Sequence, residues 1–71
     1  MNLNCHLVED FGKSKVYAVH TSRCFYRVVV GPLEVHLFGP GVEEIFTNTI
    51  PDHLSPEGKA LVAVVIWEEG D

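Results

Sequence analysis

The sequence predicts an α+β domain that is rich in β: an antiparallel meander of four to five strands with one short helix. Three observations lead there. Apolar side chains recur at every second position through most of the first 38 residues, the period of a half-buried strand. Gly, Pro, Ser and Asp interrupt these runs at intervals too short for the crossover that parallel pairing needs. A later run, Val42-Glu43-Glu44-Ile45-Phe46, has apolar residues at i, i+3 and i+4, the spacing of a helix with one apolar stripe.

Taken in order, Leu3, Cys5 and Leu7 alternate with Asn2, Asn4 and His6, predicting a strand over 2–8. Asp10 to Ser14 is a loop. Tyr17, Val19 and Thr21 alternate with Val16, Ala18 and His20, a strand over 15–21. Cys24, Tyr26, Val28 and Val30 alternate with Phe25, Arg27 and Val29, a strand over 24–30. Between these two, Ser22-Arg23 is a poor two-residue turn, because neither residue favours positive φ, so a four-residue loop from His20 to Arg23 competes with it. Leu33, Val35 and Leu37 alternate with Glu34, His36 and Phe38, a strand over 33–38. Gly31 suits the first central position of a type II′ turn, which sets Val30 opposite Leu33, Val28 opposite Val35 and Tyr26 opposite Leu37.

Side-chain parity then sorts the sheet. One face collects Leu3, Cys5, Leu7, Tyr17, Val19, Cys24, Tyr26, Val28, Val30, Leu33, Val35 and Leu37. The other collects Asn4, His6, Val8, Val16, Ala18, Phe25, Arg27, Val29, Glu34, His36 and Phe38. A slip of one residue would exchange the two sets, so the pattern specifies register.

Gly39-Pro40-Gly41 reads as a hard stop. The lid for the apolar face is expected from a helix over about 42–48, with Glu43 and Glu44 near its N-terminus, where negative charge is favoured. Residues 60–67, Ala-Leu-Val-Ala-Val-Val-Ile-Trp, are apolar on every side. Their Val and Ile content favours a strand, either added to the sheet, curling it toward a small barrel, or sitting at a subunit interface. The helix reading stays open, because Ser55 and Pro56 form a good helix start.

With 71 residues the chain makes one domain, and it buries only about 60% of its unfolded surface. The apolar fraction of 46% is generous for that size. Net charge is −5, and the five bases, Lys13, Lys15, Arg23, Arg27 and Lys59, are scattered. Direct nucleic-acid binding and anionic membranes are therefore disfavoured. The first residues show no signal-peptide pattern and no run approaches a membrane span, so a cytoplasmic location is expected. Two cysteines in that setting form no disulfide framework, and the two lie on strands separated by a third.

No phosphate loop, nucleophile elbow or H-E-x-x-H motif is present. Four histidines invite a metal site, but on this sheet only His6 and His20 meet, diagonally across adjacent strands, and zinc wants three or four ligands. No metal or cofactor is expected. Glu34 and His36 share a face and form the one acid–base pair. The mixed face carries few of the Thr, Lys and Ser residues usual on a solvated sheet, and instead holds aromatics, histidines and Arg27. Aromatics and Arg concentrate at interface hot spots; the competing reading makes this face a second core layer beneath the C-terminal segment.

The expected function is a non-enzymatic protein-binding module, a small acidic accessory inhibitor or adaptor of the phage or mobile-element kind. Its contact residues are expected to be Phe25, Arg27, His36 and Phe38, with Glu43 and Glu44 as the electrostatic contact. The alternatives are a homodimer or larger homo-oligomer built through the apolar C-terminal segment, and a small metal-dependent or acid–base enzyme on His6, His20, Glu34 and His36.

Overall fold

The computed structural model describes residues 3–70. Asn2, which opens the 2–8 strand, lies outside the described residues. Five strands, β1 (Asn4–Asp10), β2 (Lys15–His20), β3 (Phe25–Val30), β4 (Val35–Gly39) and β5 (Val42–Phe46), form one antiparallel sheet in the order β1-β2-β3-β4-β5. One helix, α1 (Pro56–Glu69), follows. The predicted α+β class and the antiparallel meander hold, and the sheet stays open rather than closing into a barrel.

The first three hairpins share one device. Phe11, Thr21 and Gly31 each donate a backbone N–H to the carbonyl three residues on, in Ser14, Cys24 and Glu34, at 2.8–2.9 Å. Between β2 and β3 the pairing of Val19 with Tyr26 is that of the Ser22-Arg23 turn. The Thr21 hydroxyl makes this turn workable by accepting the N–H groups of Arg23 (3.0 Å) and Cys24 (3.1 Å). The predicted turn at Gly31-Pro32 is corrected: Val30 pairs with Val35 and Val28 with Leu37. The turn is centred on Pro32-Leu33, because Pro fixes the φ wanted at the second turn position. Parity survives, since the shift is two residues. Leu33, expected in the core, stands at the tip with 83% of its surface exposed.

Two further expectations are overturned. Residues 42–48 are not a helix. Pro40-Gly41, with Gly41 at φ +68°, makes a tight turn of type II character, and Val42–Phe46 returns along β4 as the fifth strand. Residues 60–67 are not a strand but the middle of α1. Ser55 caps the helix by accepting the Gly58 N–H at 3.1 Å, Pro56 occupies the first turn and Glu57 complements the dipole. These start signals, together with packing on the sheet, outweigh the strand preference of Val and Ile.

The helix lies across one face only. Ala60, Ala63 and Val64 are buried against Tyr17, Val19, Tyr26, Val28, Val30, Val35 and Leu37. Two alanines on the contact side let the helix axis approach the sheet closely. Leu7, placed by parity on this face, remains 48% exposed on the edge strand. β1 also contains a bulge: Leu7 pairs with Tyr17 but Glu9 pairs with Val16, so Val8 is an extra residue. Parity reverses after it. Asp10 thereby pairs with Lys15, whose Nζ donates to its Oδ1 at 3.0 Å.

The helix end is fastened by a polar cluster. The Glu68 carboxylate accepts from the Thr21 hydroxyl (2.7 Å) and the Tyr26 hydroxyl (2.9 Å), while the Cys24 thiol donates to Tyr26 at 3.2 Å. Arg23 donates to the Glu68 carbonyl at 3.2 Å. Tyr26 is almost wholly buried, and burial first, then these hydrogen bonds, pushes its pKa well above the ordinary 10.

Candidate protein-docking face

The face opposite the helix is set by the ladder registers. One row runs His6, Ala18, Arg27, Phe38 and Glu43 across the five strands. The next holds Glu9, Val16, Val29, His36 and Ile45, and the third holds Asn4, His20 and Phe25. No element among the described residues covers this face, so its apolar groups meet water. Phe25 is 43%, Phe38 37% and Ile45 48% exposed. Ala18 is buried here because its methyl group is shorter than the flanking His6 and Arg27 side chains.

The rings on this face touch in pairs. His20 sits edge-on to Phe25 with ring centroids 4.3 Å apart, and His6 stacks beside His20 at 6.3 Å, the diagonal meeting that parity implies. His36 stacks with Phe38 at 6.4 Å, and its Nε2 lies 2.7 Å from Glu34 Oε2. Arg27 is exposed and makes no ion pair or side-chain hydrogen bond among the described residues.

Of the six residues picked out in the sequence, five share this face: Phe25, Arg27, His36, Phe38 and Glu43. Glu44 is separated from them. Strand alternation turns Glu43 outward beside Phe38 and Glu44 inward beside Leu37, at the margin of the helix-covered side. The pair would have stayed together only in the helix expected over 42–48. Ile45 was missed for the same reason. Read as a helix stripe it belonged to the lid; the signal that it belongs here is the Pro40-Gly41 turn, which makes 42–46 a returning strand.

The sheet edges are poorer docking elements than its face. β1 is interrupted by its bulge and ends in Glu9-Asp10; β5 carries two glutamates in five residues. Bulges and charge both discourage strand addition. A cavity of about 20 Å³ beside Pro32, Glu34, Phe46, Asp52 and Lys59 has room for about one water molecule. Among the described residues no three His, Cys, Asp or Glu side chains gather where a metal ion could be held. No helix among the described residues is long and apolar enough to cross a membrane.

Comparison with protein-family models, with curated protein sequences and with solved structures finds no match to this chain.

Proposed function

We propose that this chain is a non-enzymatic protein-binding module, an inhibitor or adaptor that docks on a larger cytoplasmic protein through the open face of its sheet. The observation that supports the reading is the uncovered row of Arg27 and Phe38 with Phe25, His36 and Ile45 around it. An exposed aromatic cluster around a guanidinium that makes no ion pair among the described residues combines the side chains that contribute most when an interface is desolvated. The matching surface on the partner is an apolar patch carrying a carboxylate, which the Arg27 guanidinium can engage with two parallel hydrogen bonds. Glu43 stands at the rim of the face.

The test compares the protein with an Arg27→Ser/Phe38→Ser variant as bait in lysate of the native host. A protein retained by the first and lost by the second, with circular dichroism and melting temperature alike in both, supports the reading. A partner held equally by both baits overturns the assignment of the face.

A further inference from the structure

The eight residues Ala60–Trp67 contain no charged side chain, yet only one side of α1 rests on the sheet. At 100° per residue, the positions opposite the buried Ala60, Ala63 and Val64 are Gly58, Val62, Val65 and Glu69. Their spacing of four, three and four is the spacing of a helix–helix seam. Val62 reaches the margin of the core, Val65 lies outside it, and both remain partly exposed. Positions of this kind normally carry charge.

The charges at the helix ends indicate what covers the seam. Glu68 and Glu69 stand at the negative end of the helix dipole, and no basic residue occupies the last turn. Lys59, near the positive end, makes no ion pair among the described residues. The first turn also carries Glu57, which offsets Lys59, so the match between the two ends of an antiparallel pair rests on the opposed dipoles and on the Lys59 side chain reaching a glutamate of the other helix. The seam is also symmetric under reversal: an antiparallel copy sets Val62 against Val65 of the other chain and Gly58 against Glu69, with Lys59 beside that glutamate.

We propose that α1 pairs with α1 of a second copy, antiparallel, through Val62 and Val65, with Lys59 and Glu69 forming reciprocal ion pairs. This surface is on the other side of the molecule from the docking face, so it does not rest on the proposed function. A helix of 14 residues is about 21 Å long and covers less than the ~800 Å² per partner of a standard interface. The dimer is accordingly reversible, forming at about 100 µM and dissociating near 1 µM.

Sedimentation velocity over that range reads the outcome. The expected result is a mass rising from 7.9 kDa toward twice that value with concentration. Val65→Glu should abolish the rise with the low-concentration melting temperature unchanged. Lys59→Glu and Glu69→Lys should each weaken association about fivefold, and the two together should restore it. A monomer at every concentration, a dimer that survives Val65→Glu, or a charge exchange that restores nothing would each overturn the proposal.

Discussion

Leu37 and Phe38 are neighbours on β4, and they live in different solvents. Leu37 is wholly buried beneath the helix, whereas Phe38 is 37% exposed on the opposite face. The same contrast separates Val28 from Arg27 and Tyr26 from Phe25 on β3. The strands do not themselves decide which side is core, since both sides carry large apolar groups. The helix decides it: the chain supplies one cover, and alternation assigns each residue to the covered or the open side. An apolar residue contributes to stability on the first, and on the second is free to contribute to recognition.

That division is testable by its magnitudes. The largest effect is expected from Leu37→Ala, which leaves a cavity under α1 and should cost about 3 kcal/mol in urea unfolding. Phe38→Ala, one residue along, should cost less than about 1 kcal/mol. Equal losses from both would mean that something covers the open face after all.

Tyr26→Phe comes next. It removes a buried hydroxyl that links Cys24 to Glu68 and should cost about 1–2 kcal/mol. The phenol has a raised pKa in the folded protein, so its contribution is complete below the ordinary value near 10 and declines as pH rises above it, where the unfolded chain ionises first. Stability should fall through that alkaline range in the parent protein and stay flatter in the variant.

The smallest effect belongs to Asp10, on the exposed edge strand. The Gly12 N–H, followed by Lys15, holds its carboxyl below the usual 3.8. Its contribution is present above the ordinary carboxylate range and disappears as pH falls through the lowered value. Asp10→Asn should soften the acid limb of the stability profile and change the melting temperature little at neutral pH.

Most of the sheet was legible because parity depends only on counting. Whether the loop after Val30 holds two residues or four, Val28 and Val35 stay on one face, so an error in the turn left the faces intact. Val42–Phe46 was misread because apolar groups at 42, 45 and 46 match i, i+3, i+4 in full, whereas strand alternation over 42, 44 and 46 is broken by Glu44. Only the following of β4 by a two-residue turn separates the readings, and that is a tertiary fact. Ala60–Trp67 was ambiguous because its Val residues favour a strand while Ser55-Pro56 starts a helix, and the cap carried the local decision. The Glu68 cluster was not visible at all, since Thr21, Tyr26 and Glu68 are brought together only when the helix end crosses the β2–β3 turn.

Each strand after β1 pairs with its immediate predecessor in the chain, across connections of two to four residues. Contacts of such short sequence separation form quickly. The cover comes later in the sequence than all five strands, from beyond a nine-residue connection. During synthesis the sheet can therefore be complete while both of its sides are still wet. A nascent chain halted before Pro56 would expose Val19, Val28 and Leu37 to other ribosome products, and such fragments should aggregate rather than persist.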